Sequence, residues 1–154
     1  MLILEDTRQQ ADKHDLKHKW FEDNGIKVER CRLFVGDYTL PANQSICIDT
    51  KKDLGELVNN VCQQHERFRA ELVRAQEAGI QLVILCEHGG SIKCLEDVYF
   101  WTNPRLKESP KAMTGWKLFR VLSTMKDKYG VRFEFCDKRS TGRRIVEILN
   151  NDSR

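Results

Sequence analysis

Three charged residues, Asp37, Asp49 and Lys51, have the types and the spacing of a hydrolytic centre. Asp37 follows a glycine at a predicted turn, and Asp49 and Lys51 lie two residues apart on the strand predicted next. Residues i and i+2 of a strand project from the same face, about 7 Å apart. We therefore expect Asp49 and Lys51 to share one face of a sheet, with Ile48 and Thr50 on the other.

Hydrolysis of a phosphodiester suits this set of side chains. Two carboxylates on adjacent strands can hold Mg²⁺ or Mn²⁺, hard cations that prefer oxygen ligands and neutralise charge developing on phosphorus. A lysine beside them can orient the attacking water, help to deprotonate it, or stabilise the transition state. The D-x-K tripeptide alone also arises by chance among 23 acidic and 26 basic residues. The order acid, loop, acid-x-Lys across a hairpin is the more informative PD-(D/E)xK arrangement.

The remaining pattern predicts the elements that would position this centre. Together they indicate a single α/β domain over residues 1–154, with a mixed central sheet flanked by helices. The long irregular stretch is typical of a functional or mobile segment. In chain order we predict a strand at 2–5, a helix at 12–23, strands at 26–33 and 45–50, helices at 53–61 and 65–78, a doubly covered strand at 81–86, a loop at 87–113, a helix at 114–130, a strand at 131–136 and a helix at 141–150.

Three short motifs together resemble the nuclease domain of the XPF family. They are Leu4-Glu5-Asp6-Thr7-Arg8, Val35-Gly36-Asp37-Tyr38 and Asp49-Thr50-Lys51. They stand where that family shows V-D-x-R-E, V-G-D-Y and E-R-K, in the same order and at comparable separations. The resemblance continues through Arg67-Phe68 and covers roughly residues 2–90, and its Gly-Asp-Tyr element is the most specific part.

The resemblance implies a restriction-endonuclease-like fold that cuts DNA with Mg²⁺ or Mn²⁺ and leaves 5′-phosphate and 3′-hydroxyl ends. It also implies roles for residues at matching positions: Asp6, Asp37 and Asp49 as acidic metal-site residues, Lys51 as the catalytic lysine, and Arg8 and Arg67 near the centre. Glu71 could add a carboxylate, but Arg67, Glu71 and Arg74 also have the spacing of a surface ion-pair ladder. The sequence departs from the family pattern at Gln9, Asp49 and Thr50, where Glu, Glu and Arg are usual.

Compact stand-alone members of the superfamily, such as those carried by phages, are the more similar ones. The expected substrate is branched or flapped DNA with single-stranded portions, and a Holliday-junction resolvase is an alternative. Related nucleases often pair their domains, so a homodimer is also expected. The competing hypothesis is a DNA-binding scaffold that kept the fold and lost turnover, which the three departures from the pattern favour.

Basic residues in two later segments are candidate phosphate contacts. Between residues 101 and 120 they are interleaved with Trp101 and Trp116, which suits a DNA-contacting flap. The alternative is a solvated loop, with Trp116 buried under the next helix. The second cluster lies at the start of the last helix, where it could bind phosphate or only decorate a solvent face. The candidates are Arg105, Lys107, Lys111, Lys117, Lys138, Arg139, Arg143 and Arg144.

Composition excludes several other classes of protein. Hydrophobic residues make up 40% and charged residues 32%, and no apolar run approaches the roughly 20 residues of a membrane span. The N-terminus lacks the basic and apolar regions of a signal peptide, so we expect a cytoplasmic protein. The six cysteines show no C-x2-C spacing and are expected to be reduced and mostly buried. His14 and His18 are expected at a wet helix surface.

Overall fold

A six-stranded mixed sheet forms the centre of the computed structural model, which describes residues 1–10 and 14–151. The strands are β1 Leu2–Asp6, β2 Lys27–Cys31, β3 Tyr38–Thr39, β4 Ile46–Lys51, β5 Gln81–Cys86 and β6 Arg132–Phe135. Their spatial order is β2-β1-β3-β4-β5-β6. β3 runs antiparallel to both of its neighbours, and the other adjacent pairs are parallel. The predicted restriction-endonuclease-like α/β fold is confirmed.

Helices cover both faces of the sheet, and the alternation along each strand decides which side chains meet which layer. The helices are α1 Asp15–Asp23, α2 Leu54–Cys62, α3 His65–Glu77, α4 Gly115–Tyr129 and α5 Thr141–Asn151. On β4, Cys47 packs with the α2, α3 and α4 layer, whereas Ile46 and Ile48 pack with α1 and α5. β5 contributes buried side chains to both layers, as its continuous apolar run predicted.

Local signals set several helix ends. The side chain of Asp53 caps α2 by accepting from the backbone N–H of Glu56 at 2.9 Å. Thr114 caps α4 in the same way, and Gly130 ends it in the left-handed conformation. The first helix was predicted from residue 12, and positions 12 and 13 lie outside the described residues. None of the described helices has the length and apolar character needed to cross a membrane.

The segment at 87–113 is more ordered than predicted. It contains two 3-10 helices, Leu95–Phe100 and Pro104–Lys107, and its apolar residues Ile92, Leu95 and Val98 are buried. Leu95 and Val98 lie three residues apart in the first 3-10 helix, on the side that packs against α4, and Ile92 joins the same core cluster. Gly115 permits this contact, because a Cβ there would lie 2.2 Å from the carbonyl oxygen of Trp101. The prediction of a loop without regular structure was therefore wrong for these two stretches, and the functional or mobile character of the segment stays a prediction.

The six cysteines are all free, as predicted. Cys47 and Cys86 are buried, but Cys62 and Cys94 are exposed, so the expectation of mostly buried thiols was only partly right.

Candidate active site

The turn before β3 fixes Asp37 over the neighbouring strand. Gly36 has φ +76°, and a Cβ there would lie 3.0 Å from the carbonyl oxygen of Ile48, so the turn needs glycine. The backbone N–H of Asp37 donates to that carbonyl at 2.7 Å. The Asp37 carboxylate accepts hydrogen bonds from the backbone N–H and the hydroxyl of Thr50, at 2.8 and 3.0 Å. Thr50, a departure from the family pattern, therefore holds Asp37 in place.

Asp49 and Lys51 lie on the same face of β4 as Cys47, where the alternation predicted them. Both are nearly buried, at 6% and 9% exposure. Lys51 Nζ lies 3.0 Å from Asp49 Oδ2 and 5.5 Å from the centre of the Phe68 ring on α3. The ammonium group is therefore held between a carboxylate and an aromatic face.

The charges of this group are not balanced. Burial raises the pKa of Asp49 well above its usual range, and repulsion from Asp37 and Glu71 adds to the shift despite the nearby Lys51. Burial also raises the pKa of Glu71. Burial by itself would lower the pKa of Lys51, but attraction to Asp49 outweighs it and the net shift is upward. Three carboxylates around one ammonium create a site that favours an additional cation.

The residues present fit a hard divalent cation. Asp49 Oδ2 is buried and has no hydrogen bond of good geometry to any described residue, although Lys51 lies nearby. Within residues 1–10 and 14–151, no three His, Cys, Asp or Glu side chains converge as a ready ligand set. Mg²⁺ does not require one, since it commonly binds one or two carboxylates and keeps several waters. Asp37 and Asp49 suffice for such a site.

Asp6 is linked to Asp37 through the backbone, because the N–H of Asp6 donates a hydrogen bond to the carbonyl oxygen of Asp37 at 2.8 Å. Oδ2 of Asp6 accepts a hydrogen bond from Arg8 Nε at 2.6 Å, and Oδ1 of Asp6 accepts one from the backbone N–H of Leu33 at 2.9 Å. The hydrogen bond to Asp6 raises the pKa of Arg8 further. Arg8 lines the cleft described below, whereas Asp6 does not. The Asp6 carboxylate thus holds Arg8 at the cleft, and its role as a metal ligand stays a prediction.

The arginine and glutamate of α3 do not form the surface ladder that was the alternative. Glu71 points inward, accepts a hydrogen bond from the backbone N–H of Gly36, and interacts with Lys51. Arg74 instead donates to the carbonyl oxygen of Phe34 at 3.2 Å. Arg67 is exposed and lines the cleft. The structure therefore brings Arg67 and Glu71 to the group formed by Asp37, Asp49 and Lys51.

A cleft of about 1070 Å³ opens over these residues. Its lining also includes Lys138, a candidate phosphate contact from the sequence, and His14, Lys17 and Glu87, which were not predicted to belong to the site. Lys17 Nζ and Glu87 Oε1 form a buried ion pair at 2.7 Å. The one feature of the sequence that indicated this part of the cleft was the position of Glu87, directly after the buried strand β5 that lies beside β4.

The expectation of a wet surface for this helix was wrong. His18 Nε2 lies 2.7 Å from Oε2 of the buried Glu5, and Lys17 is buried on the same helix. His14 is half-buried in the cleft, and burial lowers its pKa. A polar sequence can still be buried when each charge meets its partner on another element.

We predict that Lys17→Met destabilises the protein by about 3 kcal/mol, because it leaves the Glu87 carboxylate buried without its cation. The double variant Lys17→Met/Glu87→Leu should recover most of this loss. Urea unfolding measures both, with Lys19→Met, at an exposed position of the same helix, as the control. Equal stability of Lys17→Met and Lys19→Met would contradict the assignment.

The candidate phosphate contacts are only partly gathered around the cleft. Lys138 lines it, and Arg105 and Lys111 line a second cavity beside it. Arg144 pairs with Glu134 and Glu147, and Arg143 lies 3.8 Å from Glu147. Trp116 is 41% exposed, so its expected burial was wrong. Four residues are exposed and line neither cavity: Lys107, Lys117, Arg139 and Arg143.

Comparison with known proteins identifies relatives of this arrangement. The family model described as "ERCC4 domain" matches residues 6–145. Among solved structures, XPF from Aeropyrum pernix is similar with a TM-score of 0.67 and 17% identity, over 100% of this chain and 62% of that one. XPF from Aeropyrum pernix in complex with DNA is similar with a TM-score of 0.66 and 17% identity, over 99% of this chain and 64% of that one. The chain thus spans less than two thirds of these structures. No curated protein matches it.

Proposed function

The chain belongs to the ERCC4 domain family, and we propose that it is a divalent-metal-dependent DNA endonuclease. The observation that carries the proposal is the meeting of Asp37, Asp49 and Lys51 in one cleft, where the buried Asp49 carboxylate lies 3.0 Å from the lysine. The similar structure of XPF in complex with DNA supports DNA as the ligand. We treat residues 1–154 as one nuclease domain. A DNA substrate makes the cytoplasm the proposed place of action.

In this proposal Asp37 and Asp49 hold Mg²⁺ or Mn²⁺. When bound, the ion neutralises charge that develops on the scissile phosphate. Lys51 donates to the attacking water and to the phosphate oxygens, which stabilises the transition state. Its raised pKa keeps it cationic at neutral pH, so a charge-stabilising role suits it better than proton abstraction. Glu71 orients the ammonium group from the α3 side.

Basic side chains around the cleft position the DNA backbone. Arg8, which Asp6 holds, and Arg67 line the same cleft as the acidic group and bind the phosphates beside the scissile one. The outer contacts extend the surface along the strand and account for affinity more than for catalysis. They are Arg105, Lys107, Lys111, Lys117, Lys138, Arg139 and Arg143.

We propose branched or flapped DNA as the substrate, cut to 5′-phosphate and 3′-hydroxyl ends. The test incubates the protein with labelled duplex, flap, fork and four-way-junction DNA in Mg²⁺, Mn²⁺ or EDTA. Metal-dependent cutting of the branched substrates supports the proposal, and preference for the four-way junction would identify a resolvase. Binding of all four without cutting in either metal would overturn it in favour of a scaffold.

We also propose that the chain pairs with a second copy. Exposed aromatic side chains support this, since Phe100 is 81% exposed and its ring meets that of Tyr99 edge to face, and Tyr99 contacts Phe119 of α4. Light scattering of the wild type should give a molecular mass twice that of one chain, and a Phe100→Ser variant should give the mass of one chain. A wild-type monomer at micromolar concentration would contradict the pairing.

A further inference from the structure

A second cavity, of about 450 Å³, adjoins the cleft across the start of α2. Asp53, Gly55 and Asn59 line both spaces, so the two are separated only by this part of the helix. Gly55 has no side chain to rise between them. The other walls come from His88 at the end of β5 and from the packed segment that contains Trp101 and Arg105.

One wall of this cavity is aromatic and held in place. Trp101 is partly exposed, and its ring meets that of His88 edge to face, with centroids 6.0 Å apart. His88 Nδ1 accepts from the backbone N–H of Leu54 at 3.2 Å, which fixes the histidine ring. Because Trp101 also packs against the core, its orientation does not depend on a ligand.

The opposite rim is polar and equally fixed. Asn103 is buried, donates to the carbonyl oxygen of Met113 at 2.9 Å and accepts from the backbone N–H of Arg105 at 3.1 Å. These two bonds close the loop that carries the exposed cations Arg105 and Lys111. The cavity therefore combines a flat aromatic wall, a built polar frame and two positive charges at its mouth.

We propose that this cavity receives the unpaired nucleobase of a nucleotide next to the scissile phosphate, stacked on Trp101. This inference rests on the proposed function and names its substrate more closely. A base stacks on an aromatic ring whatever its identity, and Arg105 and Lys111 match the phosphate that accompanies it. The volume lies in the range of built small-molecule sites. A base in duplex DNA must first be unstacked and unpaired to enter, which favours substrates with single-stranded portions.

The test uses fork DNA that carries 2-aminopurine at successive positions along its single-stranded arm, mixed with the full chain in EDTA. Binding should quench the fluorescence at one position near the junction. Trp101→Ala should remove the quenching and weaken fork binding about tenfold while duplex binding changes little. Phe34→Ala, which removes an exposed aromatic side chain outside both cavities, is the matched control and should behave as the wild type.

A second variant guards against misfolding of Trp101→Ala. Cys62→Leu narrows the cavity from an exposed position at the end of α2 with an aliphatic side chain that cannot stack on a base, and it removes no buried contact. It should give the same loss of quenching. Quenching that persists in both variants, or fork binding without any quenched position, would overturn the inference. Because no metal or cutting is involved, absence of nuclease activity would defeat the proposed function and leave this result standing.

Discussion

Asp49→Asn is expected to lower metal-dependent DNA cutting by about a thousandfold or more, because it removes a charged ligand of a cation that contributes several kcal/mol to the transition state. Asparagine preserves the shape of the side chain, so the fold should be retained. Initial rates on fork DNA in Mg²⁺ measure the effect. Asp23→Asn, at an exposed position on α1, is the control and should cut as the wild type does.

The same variant should change how stability depends on pH. The pKa of Asp49 is raised in the folded protein, so its contribution to stability is complete below its unfolded pKa and is lost as pH rises through the folded value. The Asp49→Asn variant has no ionisable side chain at this position, so it does not lose stability in this way as pH rises. In EDTA, the Tm of the variant relative to the wild type should therefore increase between pH 5 and pH 8. A cation should raise the Tm of the wild type only, and an equal rise in both proteins would contradict the assigned ligand.

Lys51→Met is the second change with a large expected effect. Cutting should fall by about 100- to 1000-fold, since a fixed cation beside the reacting phosphate is lost. Binding of fork DNA in EDTA should stay within a few-fold, because Lys51 is one of many positive charges near the cleft. Single-turnover rates and binding titrations separate the two effects. Lys27→Met, an exposed lysine on β2, serves as the control.

A comparison with Lys51→Arg distinguishes the two roles open to this lysine. Arginine keeps the charge and cannot accept a proton, so it should restore part of the activity that methionine loses. The raised pKa of Lys51 also predicts no loss of rate from its ionisation state as pH falls from 9 to 6. If Lys51→Arg is as inactive as Lys51→Met, and if the cutting rate of the wild type falls at acidic pH in a way that depends on Lys51, the lysine acts as a general base instead.

The position of Asp49 and Lys51 could be predicted because it depends on local rules. The two-residue period of a strand placed both on one face of β4, and the Gly-Asp turn placed Asp37 beside them. The caps at Asp53 and Thr114 are similarly local, so the helices after them were found from the sequence. The fold class followed from the order of these elements.

Other features depend on contacts between distant segments and were missed. The sequence around Lys17 is polar, and only the fold brings Glu87 to it across 70 positions. The segment at 87–113 has weak local preferences, and its order comes from packing on α4 and from the two hydrogen bonds of Asn103. The position of Asp6 beside Arg8 likewise depends on the backbone of Leu33, on a different part of the chain.

A crystal structure with Mn²⁺, located by its anomalous scattering, tests the central claim most directly. The predicted result is a peak about 2.1 Å from carboxylate oxygens of both Asp37 and Asp49. Lys51 Nζ should lie nearby without coordinating the ion. An ion bound elsewhere in the chain, or no ion at saturating Mn²⁺ with the two aspartates in the positions described above, would contradict the claim.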